Sequence, residues 1–240
     1  MTDRYFADVP ISEGKVVLGG PEAHHLIHVM RVRPGSQVVL FDGSGTEFAA
    51  RVERIGRADV ELAVLAGKEV DRELPVDVSL GVALPKGDRQ RWLVEKAVEL
   101  GVRRIVPLRT ARSVSQPAEQ ALDRLRRTVI EASKQCGRNR LMEIARPRGW
   151  ADFVAETKAT PCRLLAHPRS RRGTAEPWTS AAGSTSHVLL AVGPEGGFTA
   201  EEVSLAAAAG WQLISLGPRI LHVETAAVLL VAMVTQAADD

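Results

Sequence analysis

The chain has 240 residues, 45% hydrophobic and 25% charged, and its 20 glycines and 13 prolines fall well below low-complexity levels, which excludes disordered and fibrous classes. Two cysteines, Cys136 and Cys162, are too few for a disulfide framework or a four-cysteine zinc site; the start Met1-Thr2-Asp3-Arg4 opens no secretory leader, and the longest apolar run, Ala226 to Val234, is nine residues where a bilayer needs about twenty. These features predict a cytoplasmic protein, and the length predicts two folded units, residues 1–72 and 73–240.

The net charge of +2 hides an uneven distribution. Residues 1–75 carry −3 and residues 149–240 carry −3, whereas residues 86–148 hold sixteen Lys and Arg against seven Asp and Glu. Arginine outnumbers lysine 25 to 6, and its planar fork suits phosphates and base edges. Nucleic acid is therefore a candidate partner, with solvated arginine-rich helix faces as the plainer alternative.

In the first 70 residues, Lys15–Leu18, Gln37–Phe41, Thr46–Ile55 and Asp59–Leu65 favour strands, and Asp42-Gly43-Ser44-Gly45 is a hairpin-type turn. Pro21–Met30 predicts a short helix closed by Arg33-Pro34-Gly35. Short strands with turn signals indicate a small barrel or sandwich. Glu69–Pro75, where apolar periodicity lapses, is the predicted linker.

From Val76 the pattern alternates strand and helix. Predicted strands are Val76–Leu84, Arg104–Leu108, Cys162–Ala166, Val188–Val192 and Leu213–Leu216. Predicted helices are Asp88–Leu100, about 117–136, Thr199–Ala209 and Glu224–Gln236. In the second of these, Leu122, Leu125, Val129, Ala132 and Cys136 form one apolar stripe opposite Arg124, Arg126 and Arg127. Nearly all-apolar strands alternating with helices predict an α/β domain with a mostly parallel sheet. Arg169–Gly173 reads as an exposed loop.

Gly193-Pro194-Glu195-Gly196-Gly197-Phe198 follows a strand and precedes a helix whose start is marked by Thr199 and Glu202. Such a turn lets backbone N–H groups approach a small molecule at the carboxyl edge of a sheet. It lacks the Lys and Ser/Thr of a phosphate loop and the spacing of a dinucleotide loop, and Glu195 favours a cationic ligand. A tight turn with no ligand is the alternative. Leu216-Gly217-Pro218-Arg219-Ile220-Leu221 repeats the strand-turn-helix context, so the two loops can line one pocket. Gly137 can end its helix in the left-handed conformation and project Arg138 and Arg140, which suit either phosphates or the helix dipole. His24 and His28 have the spacing of a zinc pair but no third ligand, so no metal is expected. There is no G-x-S-x-G elbow for a hydrolase.

Several motifs, in order, carry a resemblance to a known family: Glu22-Ala23-His24-His25-Leu26 with Arg31 and Pro34-Gly35; Phe41 to Gly45; Lys86-Gly87-Asp88 with Glu99-Leu100-Gly101-Val102; Glu131-Ala132-Ser133 with Gln135 to Arg140; His167-Pro168; Gly193 to Gly197; and Leu216 to Leu221 with Glu224-Thr225-Ala226. Over nearly its whole length the chain resembles the RsmE family of ribosomal RNA methyltransferases, within the SPOUT superfamily. The resemblance implies an amino-terminal PUA-like β-barrel domain that helps hold RNA and a carboxy-terminal α/β domain with a trefoil knot. It implies S-adenosylmethionine as cofactor, held by the loops matched here by Leu165, His167, Val192, Gly193, Gly197, Leu216, Gly217, Ile220 and Leu221. It further implies a homodimer that methylates N3 of a uridine in 16S ribosomal RNA of the small subunit, with no membrane partner.

On that reading, Arg138 or Arg140 stabilises negative charge on the uracil carbonyls, and Glu195 or a water takes the N3 proton. Arg4, Arg31, Arg33, Lys86, Arg89, Arg138 and Arg140 are the candidate RNA contacts. Two places depart from the family pattern: His28 stands where arginine is usual, and His222-Val223 where arginine-threonine is usual. A non-catalytic RNA-binding or assembly factor, and an α/β enzyme for a small cationic metabolite, remain the rival readings.

Overall fold

A computed structural model describes residues 3–113, 119–168 and 186–239. They form two units: Met1–Glu73 with Ile130–Leu141, and Leu74–Val129 with Met142–Asp240. The predicted loop at Arg169–Gly173 and the start of the predicted helix at 117–118 lie outside the described residues.

In the first unit, strands β1 (Arg4–Phe6), β2 (Gly14–Gly19), β3 (Gln37–Phe41), β4 (Thr46–Ile55) and β5 (Asp59–Glu69) pair in the order β1-β3-β4-β5-β2, antiparallel except for the parallel β1–β3 pair. Alternate residues such as Val16 and Leu18, Ala50 and Val52, and Val60 and Leu62 turn inward, the period-two signature of a sheet with one solvated face. The β4–β5 ladder shifts register at Ala49/Ala50 and at Val52/Arg54, and such bulges bend the sheet around Tyr5, Leu26 and Leu40. The predicted helix is short: α1 (Gly20–His24) passes into one π-helical turn, His25–Val29, which seats Leu26 in the core. Asp42 caps the predicted hairpin turn by accepting from the backbone N–H groups of Ile11 (2.8 Å) and Ser44 (3.0 Å).

In the second unit, strands β6 (Asp77–Val82), β7 (Arg104–Arg109), β8 (Glu143–Ile144), β10 (Cys162–Ala166), β11 (His187–Val192) and β12 (Gln212–Ile214) form a parallel sheet ordered β12-β10-β11-β6-β7-β8, with β9 (Arg148–Gly149) beside the end of β7. The helices are α2 (Asp88–Glu99), α3 (Glu119–Cys136), α4 (Trp150–Glu156), α5 (Ala200–Ala208) and α6 (Val223–Asp239). α3 continues beyond residue 129 into the segment grouped with the first unit.

β11 is buried on both faces, as a central parallel strand must be. Its Leu189 and Ala191 join a cluster with Trp150, Phe153 and Trp211 of the α4–α5 side, which leaves Val188, Leu190 and Val192 for the opposite face. There α6 packs on β6, β11 and α2 through Val223, Ala227, Leu230, Val231 and Val234, a 3.6-residue stripe. Among the described residues no helix is long and apolar enough to cross a membrane.

Strand register sets where the loops of the carboxyl edge begin. Val192 pairs with Ala166 on one side and Val82 on the other, and Ala166 pairs with Ile214. Four strands therefore end level, and the loops beginning at Ala83, His167, Gly193 and Ser215 leave one carboxyl edge together. This is where open α/β sheets accept ligands.

Candidate active site

Along that edge, the loops after β10, β11 and β12 and the start of α6 enclose a hollow of about 270 Å³. Its wall is chiefly backbone and apolar side chain: Gly193–Gly197, Val192, Phe198, Leu216 and Leu221, with Ala226 from α6. Gly193 is buried, and a Cβ on it would stand 2.9 Å from the Phe198 ring and 3.3 Å from the Phe198 backbone N. Only glycine brings the chain this near. Gly197 and Gly217 have φ of +68° and +107°, in the left-handed region that favours glycine.

The glycine loop is held from behind. Thr199 and Glu202 form the predicted capping box of α5, with Glu202 N donating to Thr199 Oγ1 at 3.2 Å and Thr199 N donating to Glu202 Oε2 at 2.8 Å. The other Glu202 oxygen accepts from Ala111 N (2.8 Å), its carbonyl accepts from Trp150 Nε1 (3.0 Å), and Arg112 Nη1 donates to Gly196 O (2.7 Å). The loop after β7 thereby fixes the loop after β11. Sequence reasoning did not single out Arg112, because its partner lies 84 residues away.

Of the nine residues expected to hold a cofactor, His167, Val192, Gly193, Gly197, Leu216, Gly217, Ile220 and Leu221 line the hollow. Leu165 does not: it is fully buried in the aromatic cluster on the other face of β10. In a strand covered on both sides no periodicity tells which face a leucine takes. Pro194 and Arg219 of the same expected loops line it too, and Phe198, just beyond them, was not among the expected contacts.

Glu195 is not a lone anion. Arg89 of α2 lies 3.2 Å from it and 3.9 Å from Glu224, with His222 Nδ1 at 3.5 Å from the same guanidinium. One cation thus bridges the glycine loop and the first turn of α6. Glu224 is buried, and its Oε2 has no hydrogen-bond partner among the described residues; the same is true of His167 Nδ1 and Ser215 Oγ. Of these three, His167 lines the hollow, and a buried polar atom there calls for a ligand or water to satisfy it. The backbone groups of the glycine run, the apolar wall, His167 and Arg219 together fit a molecule that has an apolar ring system, polar edges and a carboxylate.

Burial lowers the His167 pKa below its ordinary 6.5, so the ring is neutral at neutral pH. Below pH 6.5 the unfolded chain takes up that proton more readily than the folded one, and this residue's contribution to stability, complete above 6.5, is lost as the pH falls toward the depressed value. Thermal unfolding between pH 5 and 8 should show a midpoint that falls on acidification, less steeply in His167→Gln; parallel curves would contradict it. Burial also pushes the Cys162 thiol above its usual range, away from thiolate chemistry.

Arg4, Arg138 and Arg140 belong to the first unit, as do Arg31 and Arg33. Gly137 takes φ +89° and ends α3 in the predicted way. Arg138 then turns inward: it is 4% exposed, its Nε and Nη2 both donating to the Glu73 carboxylate, with the Nε bond at 3.0 Å. Arg4 is likewise engaged, with Glu47 and Asn139. Arg140, Arg31 and Arg33 are exposed. The His24 and His28 rings meet with centroids 4.7 Å apart and planes tilted by 48°, and no group of three metal-ligating side chains occurs among the described residues.

The RNA methyltransferase domain family matches residues 72–235, and the RNA methyltransferase PUA domain family matches residues 18–65. A ribosomal RNA small subunit methyltransferase E from Synechocystis is 33% identical over 226 residues, covering 93% of this chain and 74% of its own length. The chain belongs to the ribosomal RNA small subunit methyltransferase E family. The Bacillus subtilis member is 29% identical over 215 residues, covering 86% of this chain and 84% of its own. Among solved structures, the family member from Neisseria gonorrhoeae bound to S-adenosyl methionine superposes with a TM-score of 0.88 at 30% identity, covering 98% of each chain. A Legionella pneumophila protein with bound cofactor SAM gives 0.87 at 32% identity, covering 99% of this chain and 98% of its own. Methyltransferase E family members thus share both units of this fold.

Proposed function

We propose that this family member transfers the methyl group of S-adenosylmethionine to N3 of a uridine in 16S ribosomal RNA. The observation that carries the proposal is the glycine-walled hollow at the carboxyl edge, in a chain that two cofactor-bound structures follow almost end to end. The cofactor, when bound, supplies an electrophilic methyl on a positively charged sulfur. The apolar wall and the Gly193–Gly197 backbone would take its adenosine part, and Arg219 its carboxylate.

The N3–H bond breaks as N3–CH3 forms, the S–CH3 electron pair returns to sulfur, and the proton goes to Glu195 or to a water beside it. Arg89 keeps the Glu195 carboxylate in place on the loop. Of the two arginines after α3, Arg140 is exposed and open to an RNA phosphate, whereas Arg138 is buried on Glu73 and holds its loop in place. The target must be an unpaired or flipped uridine, because N3 is masked in a helix.

Calorimetric titration with S-adenosylmethionine should show one saturable site per chain. Ribosomes from cells lacking the protein should lack one N3-methyluridine on mass mapping of 16S nucleosides, and should regain it on incubation with the protein and cofactor. RNA binding without cofactor uptake would instead leave a non-catalytic factor.

A homodimer is part of the same proposal. α2 and α6 pack together yet expose Trp92 (42%) and Leu229 (38%), and Ile220 at the hollow is 92% exposed, an apolar set suited to a second copy. The insertion of β10 between β11 and β12 supports a trefoil-knotted path, and ribosomal RNA as substrate supports action in the cytoplasm.

A further inference from the structure

A second hollow, of about 230 Å³, opens beside the first on the same sheet edge. It lies where β6 ends next to β11, and the two hollows share Pro194 and Glu195 as a common wall. Its floor is apolar, from Leu84 and Pro85, both buried. Its rim is cationic, from Lys86 and Arg89, both exposed. These two residues open the strongly basic segment of the chain.

We infer that this hollow is the subsite for the target nucleotide, a uridine swung out of its strand. The inference rests on the proposed methyl transfer and adds the place where the base sits. An apolar floor accepts a pyrimidine face, and Lys86 and Arg89 can meet the flanking phosphate, which is anionic, or the ring carbonyl oxygens, which carry partial negative charge. The shared Glu195 wall puts one carboxylate at the boundary of both hollows, between the methyl donor and the N–H that must lose its proton. Neither hollow alone provides that. The same wall explains why Arg89 joins α2 to the glycine loop: it belongs to the rim of one hollow and braces the partition with the other.

The test uses the full chain and a 16S transcript carrying 4-thiouridine at the position the wild-type protein methylates. Irradiation in the presence of S-adenosylhomocysteine should cross-link that nucleotide to a peptide containing residues 83–89 or Ser113. In parallel, Lys86→Glu should raise KM for the RNA at least tenfold while leaving calorimetric affinity for S-adenosylmethionine within twofold and thermal unfolding unchanged. A cross-link to any other segment, absence of a cross-link, or a wild-type KM in Lys86→Glu overturns the subsite. When the wild-type protein binds cofactor and methylates the RNA, such failures refute the subsite alone; a wild-type protein that leaves the RNA unmethylated refutes the proposed function first.

Discussion

Replacing Gly193 by valine should weaken S-adenosylmethionine binding at least a hundredfold in calorimetry and lower the unfolding midpoint by several degrees. The added Cβ would meet the Phe198 ring at 2.9 Å, closer than real Cβ contacts come, and the backbone N of Phe198 at 3.3 Å. The ring has nowhere to retreat. It is 5% exposed and packs on Trp150 with centroids 4.5 Å apart, and Trp150 in turn packs on Phe153 and Trp211. The glycine loop must therefore shift instead, and it forms one wall of the hollow. Overpacking of this kind costs about 1–3 kcal/mol in stability. A fall in affinity much larger than the fall in stability would locate the damage in the loop. Wild-type cofactor affinity in this variant would show that the loop does not touch the ligand.

The second large effect concerns Arg138. Arg138→Ala leaves the partly buried Glu73 carboxylate without its bidentate partner, and removing one member of such a pair typically costs about 3–5 kcal/mol. The double variant Arg138→Met with Glu73→Leu, which removes both charges, should recover most of that loss, because apolar replacement of a buried pair is often neutral. Thermal unfolding of the two single variants and the double variant measures the coupling. Turnover should follow stability across the set. A stable Arg138→Ala protein with abolished methyl transfer and normal cofactor binding would reverse the assignment, making Arg138 a group that acts on the reacting uracil.

Helices with long stripes were the most legible part of the chain. Leu93, Val94, Ala97 and Val98 of α2, and Leu122, Leu125, Val129 and Ala132 of α3, are buried along the lines their spacing predicts. The Thr199–Glu202 cap and the glycine turns were equally readable, because each is a local device with local chemistry. β1 and α4 were not. Three residues of β1 are too few to show a period, and their pairing with β3 lies more than thirty residues ahead. α4 has seven residues, with Trp150, Phe153 and Val154 buried, too short a run to distinguish from a loop. β5 extends to Glu69, four residues past the expected end, because pairing with the long β4 sustains it where its own apolar pattern has faded.

In the candidate site, the loops were legible and their ion chemistry was not. The anionic character assigned to Glu195 overlooked Arg89, which comes from a helix more than a hundred residues earlier and approaches Glu224 as well. Arg138 shows the same limit. Gly137 does release the chain into a loop, but where the guanidinium goes depends on Glu73, 65 residues before it. Local rules locate turns and caps; tertiary pairing decides which charges remain available.

The grouping of Ile130–Leu141 with Met1–Glu73 has a consequence for how such a protein can be cut or recombined. A gene split at the predicted linker would not release two self-sufficient halves. The front half would lose a helix end and its loop, leaving Glu22 without the cation of Lys134 and Arg4 without its acceptor on Asn139. Any chimera that grafts this front module onto another catalyst must import a dozen residues from the interior of the donor's second half.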